Sequence, residues 1–300
     1  MLPNFVVVGV SRAGTTTVFN TLARHPQILA SSTKETRYFQ AVRYGEPLPP
    51  LSTYESYFRR YSGQPVIMEC TPDYFYGGEP TASAIKDTCD PRVTIILREP
   101  ASRLISFFQF MQGRLQVPAD MTLADYVAKC RSVPAEDMNT RGANNYTALW
   151  GGQYARFLPA WLAAFPERCD IFFFDDLRSD PIGLLRQQCT RLGVDPALLP
   201  DAVPVDNSAP AYRSRGVQRT AAFLAKRGRS VLHRYPSLYS RARSSYEAVN
   251  KAEAPEVAVP STLRREIEAL YRPWNDQLRD QLHDAGVTGL PGWLTEATTR

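Results

Sequence analysis

Near the start of the chain, Gly9 to Phe19 (GVSRAGTTTVF) combines residue types and spacing that can hold an anion. A Gly-x-x-x-x-Gly turn opening into a helix offers backbone N–H groups at a helix N-terminus, where the dipole favours negative charge. Thr15, Thr16 and Thr17 add hydroxyl donors. Arg12 adds a planar guanidinium whose fork matches phosphate oxygens. A nucleoside triphosphatase loop carries lysine straight after the second glycine, and Thr15 stands there instead. The loop therefore suits a phosphate group but lacks the cation of Mg²⁺-triphosphate chemistry.

A second stretch, Ile96 to Met111 (ILREPASRLISFFQFM), points to the same kind of ligand. Arg98 follows a predicted strand, at the carboxyl end where open α/β sheets bind ligands. Pro100 then opens a helix carrying Arg103 and Ser106, and a turn plus two helical turns let Arg98 and Ser106 reach one phosphate. Arg103 reads as a surface cation paired with Glu99 at i, i+4. Glu35, in KETRYF, reads by itself as a local ion pair with Lys34 or Arg37.

Positioning these groups requires a sheet. Phe5–Val10, Gln64–Glu69, Arg92–Leu97 and Cys169–Phe174 are short, nearly continuous apolar runs, each expected as a strand. Helical patterns over Thr15–Arg24, Ala101–Gly113 and Ile182–Leu192 follow three of them. Strands apolar on both faces and alternating with helices imply an α/β fold with a central, mostly parallel sheet flanked by helices. Gln153–Phe165 has Tyr154, Phe157, Leu158, Trp161, Leu162 and Phe165 at helical spacing, and Thr262–Leu282 reads as a late amphipathic helix. The weakly patterned stretches Val42–Ser62, Val117–Asn145 and the basic block 207–246 are expected as lids or substrate-facing insertions. With no internal repeat or sharp change of composition, the expectation is one domain over residues 1–300, its core at about 5–194 and a basic extension and helix over 207–283.

Composition narrows the function classes. Hydrophobic content of 44% with 22% charged residues is that of a soluble globular chain. No apolar run approaches the roughly 20 residues that span a bilayer, and the N-terminal residues lack a basic region before the apolar run, so a cytoplasmic chain is expected. Cys70, Cys89, Cys130, Cys169 and Cys189 are scattered with no CxxC pair, against a disulfide framework or a structural zinc site. His25, His233 and His283 are too dispersed for a ligand cluster, and no metal is expected. His25 ends the first helix beside Pro26 and reads as a capping residue. Nine of the 35 Lys and Arg residues fall between Asn207 and Tyr246, a stretch without Asp or Glu. That block either faces an anion, including a lipid surface, or is a solvated basic surface.

Taken in order, GVSRAGTT, HPQI, KETRYF, TPDYF and REPASRLISFF resemble the sulfotransferases that use 3′-phosphoadenosine 5′-phosphosulfate, most of all the carbohydrate-type branch and its bacterial relatives. GGQYARFLPAWLAAFP, IFFFDDL and DPIGLLRQQCTRLGV extend the likeness, which runs from about Phe5 to Val194. The resemblance implies that Ser11, Arg12, Ala13, Gly14, Thr15, Thr16 and Thr17 hold the 5′-phosphosulfate, with Arg12 where the family usually has lysine. It implies that Arg98 and Ser106 hold the 3′-phosphate, joined by Arg213 and Arg215 from the late segment. Glu35 matches the catalytic glutamate, expected as a general base if burial or the bound anion raises its pKa. Lys34 is placed to orient that carboxylate or to neutralise the sulfate, and Glu69 offers a second carboxylate. Cys70 replaces a lysine common in the relatives.

The reaction implied is in-line transfer of a sulfuryl group to a hydroxyl, or less readily an amine, of a carbohydrate, lipid or small-molecule acceptor. Two other readings compete with it: a small-molecule kinase with a degenerate phosphate loop, and a non-enzymatic polyanion-binding protein using the basic block.

Overall fold

The computed structural model describes residues 1–203, 211–212, 251–252 and 259–295. Five strands form one sheet: β1 (Phe5–Gly9), β2 (Ile28–Ala30), β3 (Val66–Cys70), β4 (Arg92–Leu97) and β5 (Cys169–Phe173). Their order is β2-β3-β1-β4-β5 and every pairing is parallel. Phe5 of β1 lies between Met68 of β3 and Arg92 of β4, so the first apolar run in the chain is the sheet's centre. Every residue of β1 and β3 is buried, as an all-parallel sheet covered on both faces requires.

Four of these strands match the expected ones. The addition, β2, has three residues, too few for any periodicity to register. It forms because β3 offers a free edge, pairing Ile28 with Val66 and Ala30 with Met68.

Helices α1 (Thr15–Leu22), α2 (Gly78–Cys89), α3 (Pro100–Gly113), α4 (Leu123–Arg131), α5 (Leu158–Ala164), α6 (Pro181–Leu192) and α7 (Ser261–Asp284) surround the sheet. The start of α3 is set by sequence: Glu99 caps it, accepting from the N–H groups of Ala101 and Ser102 at 2.8 and 2.7 Å, and Pro100 opens it. The Gln153–Phe165 stripe is core as expected, except that Leu162 is only partly buried. It is a 3₁₀ turn at Tyr154–Arg156 followed by α5, because Pro159 has no N–H to continue an earlier helix and so begins a new one. The late amphipathic helix is present as α7, whose Ile267 and Tyr271 pack with Leu104 and Phe108 of α3 and Tyr126 of α4.

Glu69 of β3 is not a second carboxylate of the ligand cavity. It is fully buried and accepts from Thr36 at 2.8 Å, Thr71 at 2.6 Å and Tyr54 at 2.7 Å. Burial raises its pKa while the hydroxyls oppose the rise. It ties β3 to the loop after β2, the loop that carries Glu35. His25 is likewise structural: buried, it accepts from the Gln27 N–H at Nδ1, leaving Nε2 to donate to the Asp195 carbonyl at 2.8 Å.

Candidate active site

The carboxyl ends of all five strands open into one cavity of about 1270 Å³. From β1 come Ser11, Arg12 and Gly14–Thr17; from β2, Lys34, Glu35 and Arg37; from β3, Asp73 and Tyr76; from β4, Arg98; from β5, Phe174, Leu177 and Arg178. This is where ligands of open α/β sheets bind.

The loop after β1 is tightly specified. Gly14 has φ 77°, and a Cβ there would meet Leu177 Cδ2 at 2.5 Å, so both backbone and space demand glycine. Arg12 has φ 73°, unusual for a residue with a side chain. Its Nε donates to Ser106 Oγ at 3.1 Å, and its guanidinium carbon lies 4.8 Å from the centre of the Phe110 ring. Arg98 donates to the Arg12 carbonyl at 2.9 Å and stacks on Phe174 at 4.5 Å, while its own carbonyl accepts from the Tyr154 hydroxyl at 2.7 Å. Burial, with Arg98 and Arg114 nearby, lowers the Arg12 pKa to about 10. Among the described residues no carboxylate pairs with Arg12, Arg98 or Arg114. A concentration of unpaired guanidinium groups beside a glycine loop fits a polyanionic ligand.

Lys34, Glu35 and Arg37 line the same cavity from the loop after β2, three strands from β4 in the sheet order. Glu35 is bridged to Lys34 and to Arg37, each at 2.9 Å, and its N–H donates to the Cys70 carbonyl, also at 2.9 Å. Glu35 and Arg37 both have left-handed backbone, φ 62° and 57°. Such outliers mark places where surroundings hold a side chain against local preference. Burial pushes the Glu35 pKa up, but Lys34 and Arg37 outweigh it and hold the carboxyl below its ordinary value. Burial therefore does not by itself bring the expected rise, because the two pairings foreseen for Glu35 both form. Burial works against the Lys34 ammonium, but Cys70 and Glu35 keep its pKa above the usual value.

Comparison with known proteins adds to this geometry. No family model matches the chain. Heparan sulfate glucosamine 3-O-sulfotransferase 3B1 of Mus musculus is 28% identical over 195 residues, 64% of this chain and 46% of that protein. Bifunctional heparan sulfate N-deacetylase/N-sulfotransferase 3 of Homo sapiens is 25% identical over an alignment covering 98% of this chain and 31% of its own length. The chain is related to the sulfotransferases. It spans less than half the length of these curated relatives. A sulfotransferase from Alicyclobacillus acidocaldarius shares its fold, with a TM-score of 0.68 at 20% identity, covering 98% of this chain and 99% of that one.

Against this sulfotransferase background the expected site residues divide into groups. Ser11, Arg12, Gly14, Thr15, Thr16, Thr17, Lys34, Glu35 and Arg98 all line the cavity. Ala13 is fully buried and its N–H is spent on the Val10 carbonyl at 3.2 Å. Ser106 lies behind Arg12 and touches the cavity through it. Arg213, Arg215 and the basic block 207–246 lie outside the described residues. Arg103 corrects the sequence reading. Rather than a surface cation on Glu99, it is fully buried, donating to the Tyr76 hydroxyl at 3.2 Å and to the Ala148 carbonyl. Glu99 is committed to its cap and to Arg264 at 3.2 Å. Cys70 is buried, with its thiol pushed up to about 12, so it is no nucleophile.

Several cavity residues went unforeseen. Asp73 faces Glu35, and burial together with that neighbouring carboxylate raises its pKa. Arg43 lies 5.6, 5.7 and 5.5 Å from the rings of Tyr44, Tyr76 and Trp150. Phe110 and Arg114 did have a signal in the sequence: with Ser106 they repeat at four-residue spacing, which places them on one helix face.

Proposed function

We propose that the protein transfers a sulfuryl group from 3′-phosphoadenosine 5′-phosphosulfate to a hydroxyl, less readily an amine, of a carbohydrate-type acceptor. The observation that carries this reading is the meeting, in one cavity, of Arg12 and Arg98, which have no carboxylate partner among the described residues, with the Lys34–Glu35 pair. Bound there, the nucleotide supplies an activated sulfuryl group. Arg12, Ser11 and the Thr15–Thr17 hydroxyls hold its 5′-phosphosulfate and stabilise the charge that grows on the bridging oxygen. Arg98 and Ser106 take the 3′-phosphate, with Arg213 and Arg215 proposed beside them. Glu35 removes the acceptor proton as the acceptor oxygen bonds to sulfur and the sulfur–bridging oxygen bond breaks in line. Lys34 orients Glu35 and offsets the charge on the sulfate.

The named relatives act on heparan sulfate. The wall beyond Glu35 supports a sugar-like acceptor here: Tyr44, Tyr76 and Trp150 offer ring faces, and Gln40, Gln116, Asn144 and Asn145 offer amides. A single domain over residues 1–300 belongs to the same proposal. So does a cytoplasmic compartment, supported by five free cysteines. No helix among the described residues is long and apolar enough to cross a membrane.

Calorimetric titration with adenosine 3′,5′-bisphosphate, without metal, tests the reading. Micromolar binding is expected, and Arg98→Ala should weaken it by about 1.5–3 kcal/mol, the usual worth of a charge-assisted hydrogen bond. Absence of binding, or preference for ATP with Mg²⁺, would replace sulfuryl transfer with phosphoryl transfer.

A further inference from the structure

Resting on that reading, we infer that Phe110 is a positioning residue that aims the guanidinium groups of Arg12 and Arg114 at the 5′-phosphosulfate. Ser106, Phe110 and Arg114 stand at successive four-residue steps along α3 and its C-terminal end, and all three converge on the loop arginine. Ser106 takes the Arg12 Nε at 3.1 Å. Phe110 carries Arg12 at 4.8 Å and Arg114 at 4.6 Å from one ring centre. Neither cation has a carboxylate partner among the described residues, and the Arg114 charge adds to burial and Arg98 in lowering the Arg12 pKa. Left to themselves two such side chains would separate into solvent. The ring face holds both by cation–π attraction, and among the described residues the Nη edges of Arg12 at the cavity take no hydrogen-bond acceptor.

This device accounts for an arginine in the loop. A guanidinium has a flat face to lay on Phe110 and an Nε to give Ser106 while keeping two further nitrogens for the ligand; an ammonium has neither the face nor the fork. The Ser106 hydroxyl accepts from Arg12 and keeps its own hydrogen to donate, so it links the two ends of the nucleotide site.

Affinities for adenosine 3′,5′-bisphosphate and for 3′-AMP, which lacks the 5′-phosphate, separate positioning from general support. Phe110→Leu should weaken the bisphosphate by about tenfold, the scale of a partly desolvated cation–π contact. It should leave 3′-AMP within about twofold and should cost clearly less in an Arg12→Ala background, where one of the two coupled cations is gone. Phe110→Tyr should restore bisphosphate binding. Equal losses for both nucleotides, full additivity with Arg12→Ala, or unchanged bisphosphate affinity in Phe110→Leu would overturn the inference. A wild-type protein that binds neither nucleotide would instead sink the sulfotransferase reading, and this inference with it.

Discussion

The two sides of the cavity are built by different means. The Arg12–Arg98 side rests on β1, β4 and β5, with Gly14, Phe174 and Tyr154 fixing each cation through backbone geometry, ring stacking or a carbonyl. The far side, beyond Glu35, is made of the stretches Val42–Ser62 and Val117–Asn145, which hold mostly short helical turns and loops. Arg43 donates to the Met138 carbonyl at 3.2 Å, Tyr44 and Asn144 exchange hydrogen bonds at 2.9 and 3.1 Å, and Arg141 grips Glu46 through two contacts at 2.9 and 2.6 Å. One side is held by the core and the other by polar contacts between two loops. Enzymes that share a donor but differ in acceptor need that division: the invariant chemistry belongs on the sheet, and specificity belongs on what can be exchanged.

Glu35 stands on the line between the two sides, and replacing it makes the largest expected effect. Glu35→Gln should reduce sulfuryl transfer by about 10²- to 10⁴-fold, the range of a lost general base, while calorimetry finds bisphosphate affinity within about twofold. If nucleotide binding collapses too, Glu35 belongs to the donor side and the division is wrong. The pH dependence sharpens the same point. Lys34 and Arg37 hold the Glu35 carboxyl below its ordinary value, so the base is already ionised at neutral pH. The acid limb of kcat/KM, which reports the free enzyme, should therefore fall below the usual carboxylate range near about 4.3. A limb near neutrality would mean that the base is another group, with Asp73, whose pKa is raised, the first to test.

How well each side could be read in advance follows from the same division. Strands apolar on both faces, a glycine turn and an arginine at a strand end are local patterns, and they placed Arg12, Arg98 and the sheet's centre. Arg103 was misread because its spacing from Glu99 is equally that of an exposed helix pair; only tertiary packing decides that Tyr76, Tyr271 and Ala148 enclose it. Arg43, Trp150 and Asn144 are brought together from distant insertions, and no period in the chain records such a meeting. β2 was invisible because its partner, rather than its own three residues, makes it a strand.

Arg103 also supports both sides, since Tyr76 and Gly151 line the cavity beside it. Arg103→Met keeps most of the volume but leaves the Tyr76 hydroxyl and the Ala148 carbonyl without this donor. Losing those buried bonds should cost about 2–4 kcal/mol of stability by denaturant unfolding. A neutral result would mean that the apolar isostere compensates, as happens when a buried charge was expensive to desolvate.

The smallest expected effect lies at the outer edge of the far side. Glu46 and Arg141 are both exposed, with side chains 45% and 56% accessible, so their pairing is screened and competes with water. Arg141 also lies 4.4 Å from the centre of the Tyr44 ring, which makes it the clasp by which one insertion bears on the other's aromatic surface. Glu46→Ala should leave the unfolding midpoint and the bisphosphate affinity unchanged, because neither the core nor the donor side reaches it. What should move is the acceptor KM, above the wild-type value at low ionic strength, with the difference closing in high salt as the wild type loses its screened clasp. Should Glu46→Ala weaken nucleotide binding as well, the two sides are mechanically coupled through the insertions, and acceptor specificity could not be altered there without disturbing the donor.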